Sequence, residues 1–127
     1  MSRKSILVID DDDNVRCTLA AILSQAGYKV GTAGFICDAI ESLIACCFDL
    51  VLLDLKKPGE DGLALLANLQ IAYPGLPVIV MTADSAIDIA KEAERFGVKG
   101  YFLKPVDPVL MLDNIKNILS EPELSTK

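Results

Sequence analysis

The sequence predicts an α/β fold: five parallel strands forming one sheet, with helices on both of its faces. Two observations carry this. Short apolar runs recur along the chain, and each is followed by a segment with helical periodicity. That alternation implies parallel strands joined by helical crossovers. The run from Leu50 to Leu53 is also apolar at every position, with no polar alternation. This is the pattern of a central parallel strand buried on both faces.

Taken in order, Ser5 to Ile9 is the first buried strand, rich in β-branched residues. It runs into Asp10, Asp11, Asp12 and Asp13. Val15, Leu19, Ile22, Leu23 and Ala26 then recur at helical spacing, with Asp12 or Asp13 as N-cap and Gly27 as the stop. Tyr28 to Gly31 is a second, shorter strand. Ala39, Ile40, Leu43 and Cys47 mark the inner face of a second helix. Asp49 leads into the third strand, which ends at Asp54. Pro58 and Gly59 turn the chain, and Asp61 can cap a third helix that points Leu65, Leu66, Leu69 and Tyr73 inward. Pro74 and Gly75 stop it.

Pro77 to Met81 is the fourth strand, ending at Thr82. Ala86, Ile87, Ala90 and Ala93 line one face of a weaker, Ala-rich fourth helix that Gly97 closes. Lys99 to Leu103 is the fifth strand, ending on Lys104 and Pro105. Asp107 followed by Pro108 reads as N-cap then first helical position. Met111, Leu112, Ile115, Ile118 and Leu119 form the buried face of the last helix. Residues 1–119 read as one domain, and 120–127 as a polar C-terminal tail or the start of a linker.

Composition narrows the function. The 127 residues are 52% hydrophobic and 24% charged, a globular balance with enough chain for a real core. Eighteen acidic and twelve basic residues give a net charge of −6, which argues against direct nucleic-acid binding by this segment. No apolar run reaches the length of a membrane span and no signal-peptide core is present, so a cytoplasmic location is expected. The cysteines, Cys17, Cys37, Cys46 and Cys47, have neither zinc-site nor disulfide-framework spacing and read as core or near-surface thiols. Histidine is absent, which excludes His-dependent hydrolase machinery and a phosphohistidine within the chain.

The strand ends hold the chemistry. Asp10 and Asp11 follow strand one, Asp54 ends strand three, Thr82 strand four and Lys104 strand five. In open parallel sheets these ends share one edge, where ligands bind. Asp54 alone could be a turn residue. Three carboxylates together repel, at ~4 kcal/mol for a pair ~4 Å apart with an effective dielectric constant of ~20. A hard cation relieves this, and the all-oxygen donor set points to Mg²⁺. Lys104 and Thr82 offer a charge and a hydroxyl to an anion beside it. This combination suits phosphoryl transfer to Asp54, which needs positioning and charge neutralisation rather than a His base.

The chain from about Ser5 to Leu119 resembles the receiver domain of bacterial two-component response regulators. The paired acids Asp10 and Asp11, the Asp-x-x-x-Pro-Gly-x-x-Gly block from Asp54 to Gly62, Thr82-Ala83 and Lys104-Pro105 stand in the family's order and spacing. The resemblance implies a flavodoxin-like doubly wound (βα)₅ fold with sheet order 2-1-3-4-5. It implies that Asp54 is the phosphoacceptor and that Asp10, Asp11, Asp54 and the backbone carbonyl of Lys56 hold Mg²⁺. It makes Thr82 and Lys104 the phosphoryl-binding groups, Thr82 and Tyr101 the switch, and the Lys104–Pro105 bond cis. The partners it implies are a sensor histidine kinase or phosphotransfer protein, a downstream effector domain or target, and a second copy meeting through the fourth helix, fifth strand and last helix. Val109 and Leu110 fall off the buried stripe and are assigned to that surface. Such a domain is a signalling switch, not an enzyme for a separate substrate, although it catalyses its own phosphorylation and dephosphorylation.

Lys57 departs from the family, where Met is usual, and places a cation next to the metal loop. Lys56 and Asp84, each two residues beyond a site residue, are expected to tune the phosphoryl lifetime; the competing reading is two solvated charges. Two other functions compete with the switch. A metal-dependent phosphatase using Asp54 would need a substrate cap, for which the chain has no insertion. A module that no longer accepts phosphate is opposed by the intact Asp10, Asp11, Asp54, Thr82 and Lys104.

Overall fold

The strands form because the apolar runs have partners on both sides. In the computed structural model, which describes residues 3–55, 62–82, 91 and 93–120, five strands make one sheet. They are β1 (Ser5–Ile9), β2 (Lys29–Ala33), β3 (Leu50–Leu55), β4 (Val78–Thr82) and β5 (Gly100–Leu103). Their order is β2-β1-β3-β4-β5, and every pairing is parallel. The central strand β3 is buried along its whole length, as its unalternated sequence requires.

Helices α1 (Asp13–Gln25), α2 (Ile36–Ala45), α3 (Gly62–Ala72) and a C-terminal helix (Pro108–Ser120) are described. Alternation along each strand splits the core into two layers. Leu7, Ile9, Val51, Leu53, Leu55, Val78 and Val80 pack with Ala39 and Leu43 of α2 and Leu65, Leu66 and Leu69 of α3. Ile6, Val8, Leu50, Leu52, Ile79 and Met81 pack with Leu19 and Leu23 of α1 and Met111 and Ile115 of the C-terminal helix. Fully burying each such aliphatic side chain is worth ~1.5–3 kcal/mol, so both faces of the sheet need their helices.

The caps follow the sequence. Asp12 Oδ1 accepts from the Asn14 and Val15 amides at 2.9 and 3.1 Å and starts α1. Asp107 Oδ1 accepts from Val109 N at 2.9 Å and starts the C-terminal helix. Gly27 and Gly97 sit at φ +100° and +77°, a conformation that costs other residues steric strain.

Several expected boundaries move. Tyr28 belongs to the turn after α1, its amide bonding Leu23 O at 3.1 Å. Strand β2 instead extends through Thr32 and Ala33, because Val8 and Ile9 of β1 offer them register partners. Cys46 is extended and ends α2, so Cys47 leaves the helical periodicity. Ile40 lies about 100° around the helix from buried Ala39 and is exposed. All four cysteines are free and exposed, so none is a core thiol. Tyr73 follows the end of α3 and is exposed, while Leu65, Leu66 and Leu69 face inward as expected. Ala26 is exposed as the C-cap of α1, and Ser120 belongs to the C-terminal helix. In that helix Met111 and Ile115 are buried, and Leu112, Ile118 and Leu119 partly so. Ala93 is buried. Pro58, Gly59, Asp61, Ala86, Ile87, Ala90 and 121–127 lie outside the described residues.

Candidate phosphoryl-transfer site

Strand parity brings the charged residues together. Asp10 follows Ile6 and Val8 on one face of β1. Asp54 follows Leu50 and Leu52 on the same face of β3, and Lys104 follows Phe102 beyond β5. Parallel pairing puts all three at one edge, where the apolar layer stops. Lys104 Nζ lies 2.9 Å from Asp10 Oδ2 and 3.0 Å from Asp54 Oδ1. Asp10 is 1% exposed and Asp54 8% exposed. A lysine bridging two buried carboxylates is the compensation that burying them requires.

The electrostatics agree with this geometry. Burial works against the charge on Lys104, but hydrogen bonds and Coulombic attraction to Asp10 and Asp54 outweigh it. The ammonium pKa therefore lies above its ordinary value. Burial also raises the Tyr28 hydroxyl pKa. Asp10, Asp11 and Asp54 each offer a carboxylate oxygen, and the three oxygens all lie within 4.8 Å of one another. At that separation a pair of unit charges still repels by ~3–4 kcal/mol with an effective dielectric constant of ~20. Three carboxylates beside the Lys104 ammonium present a cluster made entirely of hard oxygens, and such a donor set fits a divalent oxygen-seeking cation.

Thr82 is buried at the same edge. It pairs with Leu55, one step beyond the Asp54–Met81 pair, and its carbonyl accepts from the Lys104 amide at 2.8 Å. Tyr101, opposite Val80 on β5, is 45% exposed. The Lys104–Pro105 bond is cis, as the resemblance implies. Lys56, Lys57 and Asp84 lie outside the described residues. Arg16, which the strand-end pattern does not pick out, donates from a guanidinium nitrogen to the Asp10 carbonyl at 2.7 Å.

Residues 6–116 match the family described as response regulator receiver domain. The chain belongs to this family. The receiver domain is 37% identical over 122 residues to the transcriptional regulatory protein ZraR of Klebsiella oxytoca, covering 96% of this chain and 27% of that protein. It is 39% identical over 107 residues to the DNA-binding transcriptional regulator NtrC of Escherichia coli K12, covering 84% of this chain and 23% of that protein. The chain thus spans about a quarter of the length of these curated relatives. A CheY-like receiver domain structure from Methanospirillum hungatei JF-1 superposes with a TM-score of 0.88 at 31% identity, covering 98% of this chain and 99% of that one. The sheet order expected from the resemblance is the order observed. The receiver domain is a signalling switch of two-component systems, and no helix among its described residues is long and apolar enough to cross a membrane.

Proposed function

We propose that this receiver domain accepts a phosphoryl group on Asp54 from a sensor histidine kinase or phosphotransfer protein. The Lys104 ammonium held between Asp10 and Asp54 is the observation that carries the reading. An Asp54 carboxylate oxygen attacks phosphorus. The O–P bond forms as the N–P bond of the donor phosphohistidine breaks, and the leaving imidazole nitrogen keeps the electron pair. Lys104, already at the acceptor, meets the incoming phosphoryl oxygens with a positive charge. Thr82 donates its hydroxyl to the same oxygens.

Asp10, Asp11, Asp54 and the Lys56 carbonyl would hold Mg²⁺, which when bound neutralises charge on the phosphoryl group. Later attack by water returns the Asp54 carboxylate and inorganic phosphate, so the domain catalyses both its phosphorylation and its dephosphorylation. Lys56 and Asp84 tune the second step.

Drawing Thr82 toward the phosphoryl group lets Tyr101 turn inward, and the phosphorylated population shifts to a second surface state. We assign that surface to the fourth helix, β5 and the C-terminal helix, where it meets an effector or a second copy. Val109 and Leu110, 67% and 58% exposed on the C-terminal helix, support the assignment. Residues 1–119 act as the receiver unit and 120–127 as a tail or linker, in the cytoplasm and without binding nucleic acid directly. The curated relatives are named as transcriptional regulators, and we place the output in that class.

Intact mass after incubation with Mg²⁺ and acetyl phosphate tests the proposal. One added phosphoryl group is expected on the wild type and none on Asp54→Asn or after chelation. Absence of the adduct on a wild type shown by calorimetry to bind Mg²⁺ would overturn it.

A further inference from the structure

Asp10 is held from four directions. Its amide donates to Ala33 O at 3.1 Å. Its Oδ1 accepts from the Asp12 amide at 2.9 Å, and its Oδ2 from Lys104 at 2.9 Å. The fourth tie is the guanidinium of Arg16, which donates to the Asp10 carbonyl at 2.7 Å and pairs through its other nitrogen with Asp13. This guanidinium is no loose surface group. Its side chain is 20% exposed, against 83% for Asp13, and it fills the space above Gly34 in the turn after β2. A Cβ at Gly34 would lie 3.0 Å from the guanidinium nitrogen.

We infer that Arg16, seated in the notch left by Gly34, is a positioning residue that fixes the Asp10–Asp11 peptide and so sets the cation affinity of the acidic cluster. The inference rests on the reading of Asp10 and Asp11 as cation-holding acids. The carbonyl that Arg16 grips begins the peptide joining the two residues, so its orientation sets how their side chains diverge. Losing an outer partner that hydrogen-bonds a ligating side chain weakens metal binding by ~10–100-fold, and a partner that acts through the ligand's backbone carbonyl, as Arg16 does, belongs at the lower end of that range. A through-space role would act with the opposite sign. Arg16 is a cation near a cation site, and removing it for electrostatic reasons alone would tighten Mg²⁺ binding.

The test is Mg²⁺ titration by isothermal calorimetry, without phosphodonor, on wild type, Arg16→Gln, Arg16→Lys and Gly34→Ala. Arg16→Gln is expected to raise the Kd about tenfold, and Arg16→Lys, which reaches one acceptor at a time, by less. Gly34→Ala should shift the Kd in the same direction while leaving every charge in place. It displaces only the far end of a flexible side chain, so it tests the idea even if Arg16→Gln folds poorly. In acetyl phosphate reactions the half-saturating Mg²⁺ should rise while the rate at saturating Mg²⁺ is retained. Unchanged or tighter binding in Arg16→Gln, or in Gly34→Ala should the former not fold, overturns the inference alone. A wild type that binds no Mg²⁺ overturns the reading beneath it, and the inference with it.

Discussion

Replacing Lys104 with Met tests the charge balance of the site directly. Met keeps most of the stem volume and removes the ammonium. At 2.9 and 3.0 Å, with an effective dielectric constant of ~20, each attraction is worth ~5–6 kcal/mol before desolvation. Desolvation takes back much of this, and breaking a buried pair typically costs ~3–5 kcal/mol because the partner charge is left uncompensated. The Lys104 side chain is 23% exposed, so the lower end, ~3 kcal/mol, applies. For a domain of this size that corresponds to a fall in Tm of roughly 10 °C. The assay is thermal unfolding by circular dichroism at neutral pH and low salt, with chelator and then with millimolar Mg²⁺. Chelated variant should melt about 10 °C below wild type, and Mg²⁺ should close most of the gap by supplying the missing charge. A Tm within a degree or so of wild type, or Mg²⁺ stabilising wild type more than the variant, would refute the charge-balance argument.

Three further outcomes are expected. The raised Lys104 pKa means that its stabilisation is fully present below the unfolded lysine value of ~10.4 and is lost as pH rises through the higher folded value. Urea midpoints of the wild type should therefore keep this contribution up to about pH 10 and, above ~10.4, drop more steeply than those of Lys104→Met; the raised Tyr28 pKa adds an alkaline loss common to both. Asp12→Ala removes two capping bonds from α1 and should cost ~1 kcal/mol in urea unfolding. Gly31→Ala places a Cβ 2.9 Å from Phe48 Cζ, and the repacking should cost ~1–3 kcal/mol in the same assay.

The strands were legible because unalternated apolar runs such as Leu50 to Leu53 have one stable use, a doubly covered sheet. The sheet order was not. Periodicity shows which face of a strand is buried but not which strand lies beside it, so the order came with the resemblance. Helix ends were the weakest reading. Cys47 and Tyr73 continue an apolar period past the points where Cys46 turns extended and α3 stops. The charged triad of Asp10, Asp54 and Lys104 was readable because strand polarity gathers carboxyl ends at one edge. Arg16 was not readable, because its acceptor is a backbone carbonyl and side-chain patterns carry no record of main-chain partners. Its spacing of three from Asp13 was the one available signal.

The most direct test of the central claim is to locate the acyl phosphate. The phosphorylated protein would be reduced with borohydride, which converts an aspartyl phosphate to the alcohol, then digested and sequenced by mass spectrometry. Reduction confined to Asp54 and absent without Mg²⁺ is the predicted result. Reduction at Asp10 or Asp11, or a phosphorylated protein unaltered at Asp54, would contradict the account.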